Sequence, residues 1–226
     1  MACSAVANPS KADPPCEDGQ NLPGGNGQGS RAAPGAARLR DVTRIVSGSA
    51  RGRRLAVPPR GTRPTSDRAR EALFNTLDAE IDLLGCRFLD LFAGSGAVGL
   101  EALSRGADAV VFVESDRKAA SILQDNISAL GMPGTTLHRC SAETYLAAVG
   151  ADEPFDVVFA DPPYALSAGA VAMVLNSLAD ERWLVPNGIA VVERSSRDLE
   201  LDWPGEIKAM KQRRYGEGCL WYGRRE

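Results

Sequence analysis

The run DVVFADPPYAL ends an apolar segment in an acid, two prolines and an aromatic residue: Asp161, Pro162, Pro163 and Tyr164. Proline fixes φ and lacks an N–H, so this segment presents a carboxylate and backbone carbonyls as hydrogen-bond acceptors at a fixed separation. An exocyclic amine has two N–H donors that fit such a pair, and the tyrosine ring offers a surface for stacking a base. The alternative is a turn that only ends a strand, where Asp and Pro are common. We interpret the run as a binding site for the amino group of a base.

A glycine-rich loop, DLFAGSGAVG, is the second candidate site. Its glycines, Gly94, Gly96 and Gly99, match G-x-G-x-x-G between a strand pattern and a helix pattern. The backbone N–H groups of such a turn can approach a ligand at a helix N-terminus. Glu114 follows Gly94 by twenty residues, at the end of the next strand pattern, where a carboxylate can bind two ribose hydroxyls. The loop therefore predicts a nucleotide-type cofactor.

The identity of this cofactor depends on Asp90, four residues before Gly94. A dinucleotide is the usual ligand of the glycine pattern. An acid at the end of the preceding strand suits a ligand with an amino group and a sulfonium, and it would repel a pyrophosphate. Asp90 thus favours S-adenosylmethionine over NAD, although it could merely cap the turn.

These residues must be positioned by an alternation of strands and helices that begins near residue 85. Apolar strand patterns alternate with amphipathic helix patterns, and the chain ends in two strands joined by a tight turn, IKAMKQRRY and CLWYGRR. This order predicts a Rossmann-like α/β fold: a mostly parallel sheet with helices on both faces and a C-terminal antiparallel hairpin. Ligands bind at the carboxyl ends of the strands in such sheets, so we expect Asp161 to face the same crevice as Gly94.

The chain divides into three predicted segments. Residues 1–41 are rich in Gly, Pro, Asn and Gln and have few large apolar side chains, which predicts a disordered tail. Residues 42–64 contain two short apolar pieces, RIVSG and RRLAVP, which predict a small basic hairpin. Residues 65–226 would form the catalytic domain, beginning with a helix capped by Thr65 or Ser66.

The segment from Arg44 to Arg70 contains eight arginines and a single acid, in a chain whose net charge is −3. Such local asymmetry is typical of a surface that binds nucleic-acid phosphates, although a solvated face paired with acids elsewhere is the alternative. The predicted RNA contacts are Arg53, Arg54, Arg63 and Arg68, with Arg213 and Arg214 extending the surface.

Other classes of protein find little support. The five cysteines form no C-x-x-C pair and there is one histidine, so we expect no metal and reduced thiols in the cytoplasm. We expect no signal peptide and no membrane span. The histidine, His138, lies in TTLHRC, which we place away from the functional strand ends and interpret as structural.

The loop DLFAGSG, the DPPY motif and the terminal hairpin resemble the class I S-adenosylmethionine-dependent methyltransferases that act on exocyclic amines. The stretches RIVSGSARGRRL, TRPTSDRAREALFNTL, DLFAGSGAVGLEALSRGA, FADPPY and RRYGEGCLWYGRR are, more narrowly, similar to the bacterial small-subunit rRNA guanine-N2 methyltransferase family, RsmD. The resemblance extends over about residues 42 to 224.

This resemblance implies the substrate, the cofactor and the site residues. The target would be the 2-amino group of guanine 966 (rRNA numbering) in 16S rRNA or the assembling small subunit. Apart from the resemblance, we expect a monomer. The cofactor S-adenosylmethionine would be held at its methionine end by Asp90, Gly94, Ser95 and Gly96, and at its ribose by Glu114 and Ser115. The adenine would meet Ser141 and Ala142, although relatives often have Asp or Asn where Ser141 stands. The flipped guanine would contact Asp161, Pro162, Pro163 and Tyr164.

Three other interpretations remain at this stage. An NAD-dependent oxidoreductase would account for the glycine loop but not for DPPY or the arginines. A DNA or protein amine methyltransferase would share DPPY, but DNA enzymes need a target-recognition domain, and protein glutamine methylation usually goes with Asn in place of Asp161. An RNA-binding module without catalysis would not need an intact loop and an intact DPPY.

Overall fold

The computed structural model describes residues 42–58, 67–147, 153–198 and 200–226. Three expectations lie outside these ranges: the disordered tail at 1–41, the contact of Arg63 with RNA, and the helix cap at Thr65 or Ser66. Within the described ranges, none of the helices is both long enough and apolar enough to cross a membrane.

The predicted N-terminal hairpin is present, with antiparallel strands β1 (Val42–Arg44) and β2 (Arg54–Ala56). Strand β2 lies within the predicted piece RRLAVP, but β1 shares only Arg44 with RIVSG, because the chain after Arg44 packs against the rest of the protein. The N–H of Ser49 donates to the carbonyl of Ser104 (2.7 Å). A Cβ atom at Gly48 would lie 1.8 Å from that carbonyl oxygen, so only glycine permits this approach.

A second sheet of seven strands forms the centre of the protein. Its strands are β3 (Arg87–Leu91), β4 (Ala109–Val113), β5 (Thr135–His138), β6 (Phe155–Ala160), β7 (Leu184–Ser195), β8 (Ile207–Tyr215) and β9 (Gly218–Arg225). Their order is β5-β4-β3-β6-β7-β9-β8. Strands β3 to β7 pair in parallel, and β9 lies antiparallel between β7 and β8. The predicted parallel sheet with a terminal antiparallel hairpin is confirmed.

Within the described ranges, five helices cover the two faces of this sheet: α1 (Asp67–Asp78), α2 (Ala97–Ser104), α3 (Arg117–Leu130), α4 (Ala142–Leu146) and α5 (Ala168–Leu178). Helices α1 to α3 pack on one face, hereafter the first face, and α4 and α5 pack on the second face. Strand side chains alternate between the two cores, as Phe88 and Leu89 of β3 show. The doubly covered sheet explains why the central strands are apolar along their whole length.

Glu101 of α2 is a buried side chain that anchors the hairpin. It accepts hydrogen bonds from the N–H groups of Val46 (2.7 Å) and Ser47 (2.8 Å), and its Oε2 lies 3.7 Å from Nε of Arg70. Arg70 and Glu101 are both completely buried. Arg70 therefore stabilises the fold, although it belongs to the arginine-rich segment by sequence.

Asn126 of α3 connects the hairpin to the glycine loop. Its Oδ1 accepts from the N–H of Ala56 (2.9 Å), and its Nδ2 donates to the carbonyls of Ala56 and Ser95 (2.9 Å each). Asn126 is buried, so the loss of these bonds would leave polar groups without partners. One side chain thus fixes β2 against the loop of the candidate cofactor site.

Candidate active site

The carboxyl ends of the parallel strands form one edge of the sheet, hereafter the carboxyl edge. In the register of β3 and β6, Leu91 lies beside Ala160, and the N–H of Asp161 donates to the carbonyl of Leu91 (3.4 Å). The DPPY motif and the glycine loop therefore leave the sheet side by side. This is the juxtaposition that the sequence predicted.

Asp90 lies in β3 and is almost completely buried. Its Oδ2 accepts from the N–H of Gly99 at 2.9 Å, and among the described residues its Oδ1 has no hydrogen-bond donor. Burial, and to a lesser degree the negative charge of Glu114, raises the pKa of Asp90 to about 7, against the opposing effect of the Gly99 hydrogen bond. An uncompensated buried carboxyl group of this kind favours a cationic ligand.

The glycines of the loop have different physical roles. Gly94 has φ +55°, and a Cβ atom built there would meet nothing within 4 Å, so its backbone faces open space. A Cβ at Gly96 would lie 2.2 Å from Leu123, and one at Gly99 would lie 2.3 Å from the ring of Phe112. Gly94 leaves room for a ligand, whereas Gly96 and Gly99 allow α2 to approach the sheet and α3. Gly96 caps the N-terminus of α2, and its α-carbon faces the core.

Glu114 follows β4 and closes the loop from the other side. Its Oε2 accepts from the N–H of Gly94 (2.7 Å), and its Oε1 accepts from the N–H of Asp116 (2.7 Å). Each carboxylate oxygen can accept more than one hydrogen bond, so the side chain remains suitable for ribose hydroxyls. Ser115 is exposed beside it.

The carbonyl of His138 accepts from the N–H of Glu114 (3.1 Å). His138 thus ends β5 at the carboxyl edge, and its placement away from the functional strand ends was wrong.

Ser141 and Ala142 lie at the start of α4, beyond β5. The Ser141 hydroxyl caps this helix by accepting from the N–H of Thr144 (3.1 Å). Ala142 is buried in the second core. Ser141 Oγ also lies 3.0 Å from Thr144 Oγ1, and with Thr144 as the donor in that bond the Ser141 hydroxyl keeps its own hydrogen for an adenine edge.

The DPPY motif follows β6 at the carboxyl edge. Asp161 is half-buried, and Tyr164 is 53% exposed. The carbonyl of Pro163 accepts from the N–H of Leu166 (2.8 Å), whereas the carbonyl of Pro162 accepts no hydrogen bond within the described part of the chain. The Asp161 carboxyl group and the Pro162 carbonyl are therefore the candidate acceptors, whereas the Pro163 carbonyl is engaged within the turn.

The carboxyl group of Asp161 lies among other negative charges. Burial makes the largest contribution to raising its pKa well above the ordinary value, followed by the charges of Glu193 and Asp90, while Arg194 acts in the opposite direction. A donor-rich ligand placed against these carboxylates would offset both the desolvation and the repulsion. The chemistry of the edge thus suits a ligand with several N–H groups.

Phe92 is a feature of the site that the sequence analysis missed. Its φ of +61° is rare for a residue with a Cβ and costs on the order of 1–3 kcal/mol. Strand alternation would place this side chain on the first face with Asp90, but it packs instead against the second core, beside Pro162 and Leu166. This conformation clears the first face at the end of β3 and joins the glycine loop to the DPPY turn.

The predicted RNA contacts are only partly described. Arg53, Arg54 and Arg68 are exposed, and Arg213 and Arg214 are exposed near the end of β8. Arg53 also donates to the carbonyl of Ala129 at the C-terminus of α3 (2.6 Å). Because β8 runs parallel to β7, its last residues lie at the carboxyl edge. Exposed cations thus occur both on the hairpin and at the carboxyl edge, where β8 is three strands away from β6.

The described residues contain no group of three or more His, Cys, Asp or Glu side chains that could hold a metal ion.

Comparison with known proteins decides the family. The model of the family described as "Conserved hypothetical protein 95" matches residues 43–224. The ribosomal RNA small subunit methyltransferase D of Escherichia coli K12 is 42% identical over 151 residues, which cover 66% of this chain and 73% of that protein. Its namesake from Haemophilus influenzae is 38% identical over 184 residues, covering 76% and 89%. The chain belongs to the RsmD family.

Solved structures agree with this membership of the RsmD family. A protein of Escherichia coli provisionally named as a methyltransferase has a TM-score of 0.74 and 33% identity, covering 82% of this chain and 98% of that chain. A hypothetical protein of Thermus thermophilus has a TM-score of 0.68 and 36% identity, covering 80% and 98%. The fold is therefore that of a Rossmann-like class I methyltransferase.

Proposed function

We propose that this protein methylates the exocyclic 2-amino group of a guanine in 16S rRNA, with S-adenosylmethionine as cofactor and guanine 966 as the target. The proposal rests most heavily on one observation. The carboxylate of Asp161 lies at the carboxyl edge next to the glycine loop, together with the carbonyl of Pro162, which accepts no hydrogen bond from the described residues. The relatives named as ribosomal RNA small subunit methyltransferases support the choice of RNA.

The residues around the glycine loop fit S-adenosylmethionine. The buried acid Asp90 suits the amino group of its methionine part, Gly94 leaves backbone space, and Glu114 suits its ribose hydroxyls. Ser95 and Gly96 complete the loop, Ser115 follows Glu114, and Ser141 and Ala142, at the start of α4, would contact the adenine. When bound, this cofactor supplies an activated electrophilic methyl group, so the protein must chiefly align the acceptor.

Asp161 and the Pro162 carbonyl would accept the two N–H groups of the guanine amine. The nitrogen lone pair is delocalised into the ring, and these hydrogen bonds increase its electron density as the N–C bond forms. The raised pKa of Asp161 also makes its carboxylate a suitable acceptor for the proton that leaves the amine. The exposed Tyr164 ring would stack on the flipped base in place of its lost neighbour.

Exposed arginines would hold the RNA backbone. Arg53, Arg54 and Arg68, together with Arg63, would contact phosphates, and Arg213 and Arg214 would guide the strand toward Asp161. We infer that the protein acts as a monomer without a metal, on 16S rRNA or the assembling subunit in the cytoplasm. Residues 1–41 would not be needed for catalysis, and residues 42–64 would act as an RNA-binding arm on the domain at 65–226.

The identity of the methylated nucleoside tests this function. The full chain is incubated with methyl-labelled S-adenosylmethionine and unmodified small subunits, naked 16S rRNA or DNA, and the product is digested to nucleosides. We expect label only in N2-methylguanosine from a single position of the rRNA. An exposed acid on α3, Asp125, provides the matched control, since Asp125→Asn should leave transfer unchanged. Label in another nucleoside, in DNA or in a protein, or no transfer at all, would contradict the proposal.

A further inference from the structure

We propose that Glu193 determines the base specificity of the enzyme by accepting the N1–H of the guanine whose amino group contacts Asp161. The inference rests on the proposed function, because it assigns a second contact to the same base. Glu193 belongs to none of the motifs quoted from the sequence, and it lies one strand beyond DPPY.

The strand register brings Glu193 next to Asp161. Strands β6 and β7 pair in parallel with Ala160 beside Val192, so the next residues of the two strands are also neighbours, at a strand spacing of about 4.8 Å. Asp161 follows Phe159 by two residues and Glu193 follows Val191 by two, and both Phe159 and Val191 lie in the first core. Period-two alternation therefore directs both carboxylates to the first face.

Gly218 provides the space that the Glu193 carboxylate occupies. Gly218 begins β9, which pairs with β7, and a Cβ atom there would lie 2.9 Å from Oε1 of Glu193. The φ angle of Gly218 is not positive, so residues with a Cβ could adopt the same backbone conformation. What a side chain at this position would disturb is the carboxylate of Glu193.

The half-buried position of Glu193 keeps its carboxylate at the margin of the site, where a ligand held by Asp161 can reach it. The charge of Glu193 contributes to the raised pKa of Asp161, which agrees with the closeness of the two groups. In their ionised forms, the two adjacent carboxylates make, with the Pro162 carbonyl, a row that can only accept hydrogen bonds.

Guanine has the Watson–Crick edge that matches this row. Its N1–H lies beside its 2-amino group, which gives three N–H donors in sequence, whereas N1 of adenine is an acceptor. With Asp161 and Pro162 engaged by the amine, the neighbouring N1–H points to the next acceptor along the edge, which is Glu193. A base with an acceptor at N1 would place the N1 lone pair against a lone pair of the Glu193 carboxylate. A site that accepts a hydrogen bond at this position therefore disfavours such a base.

The test compares guanine with 2,6-diaminopurine at the single target position of a ligated rRNA substrate. Diaminopurine keeps the 2-amino group but has an acceptor at N1. For each enzyme we measure the ratio of kcat/KM for guanine to kcat/KM for diaminopurine. We expect this ratio to be about 10- to 100-fold larger in wild type than in Glu193→Gln, since the glutamine amide can donate to N1 of diaminopurine. When the wild-type ratio is compared with the variant ratio, the difference in intrinsic reactivity between the two bases cancels. Glu206→Gln, an exposed acid before β8, is the matched control and should keep the wild-type ratio.

A second variant keeps the test independent of how Glu193→Gln folds. Gly218→Ala retains the carboxylate but displaces it, and we expect the same loss of preference for guanine with unchanged binding of S-adenosylhomocysteine. An unchanged ratio in Glu193→Gln, or in Gly218→Ala if the first variant does not fold, would overturn the role of Glu193. If wild-type enzyme methylates no guanine, the proposed function itself fails, so the two failures are distinguishable.

Discussion

Substitution of Asp90 by Asn should remove the pH dependence of cofactor binding between pH 5.5 and 7. In the free protein, burial raises the pKa of Asp90 to about 7, so the carboxyl group is largely protonated at pH 5.5. The ammonium of a bound cofactor favours the ionised form, and binding must then release a proton. The α-amino group of the ligand stays charged over this range. The affinity of the wild-type protein for the cofactor therefore falls as the pH falls below 7.

The expected magnitude follows from this pKa. Lowering the pH from 7 to 5.5 should weaken binding of S-adenosylhomocysteine by about 15-fold, or roughly 1.6 kcal/mol, if Asp90 must be ionised in the complex. At pH 6 about 0.9 proton should be released per ligand bound.

Isothermal titration calorimetry in buffers of different ionisation enthalpy measures both the affinity and the proton release. Asp90→Asn keeps an acceptor for the N–H of Gly99, and it should bind more weakly at pH 7 and show no pH dependence. Asp125→Asn, the same change on an exposed surface, should behave as wild type. If Asp90→Asn retains the wild-type proton release, another group is titrating and the electrostatic argument is refuted.

Three further predictions concern stability and RNA. The raised pKa of Asp90 means that the native state loses stability as the pH rises from about 4 to 7, so Asp90→Asn should be more stable than wild type by about 2–4 kcal/mol at pH 7.5 and equal to it near pH 4, as measured by urea unfolding. A constant difference would contradict this. Glu101→Ala removes the acceptor of the Val46 and Ser47 N–H groups and one of the two carboxylates near the buried Arg70, and it should cost about 3–5 kcal/mol in the same assay; a cost under 1 kcal/mol would disprove the anchoring role. Arg54→Ala and Arg68→Ala should each weaken RNA binding and reduce the slope of log K against log salt by about 1, without loss of stability; an unchanged slope would remove them from the interface.

The fold could be predicted from the sequence because its signals are local. The alternation of strand and helix patterns, the glycine loop and the terminal turn each occupy a few consecutive residues, and the rules for parallel sheets then place Asp161 beside the loop. The two acceptors of DPPY were predictable for the same reason, since proline acts on its own backbone.

The features that the sequence analysis missed depend on contacts between distant residues. Arg70 resembles its basic neighbours by type, and only the folded structure shows that it is buried against Glu101 and Asp67. Phe92 reaches the second face because its φ angle is positive, and the residue type Phe gives no indication of such a conformation. Glu193 lies at the site because β6 and β7 pair in a particular register, and this register joins segments that are distant in the sequence. Local pattern can indicate each element, but not these partners.

The rate of a single methyl transfer in variants of Asp161 tests the central claim most directly. Wild type, Asp161→Asn and Asp161→Ala are mixed in excess with labelled S-adenosylmethionine and rRNA, and affinities for S-adenosylhomocysteine and RNA are measured separately. We predict a fall of at least about 100-fold in the transfer rate for Asp161→Ala, and a smaller fall for Asp161→Asn, which keeps one acceptor oxygen. Both affinities should stay within about twofold of wild type, because the residue acts on the amine. Transfer by Asp161→Ala at the wild-type rate would contradict the account.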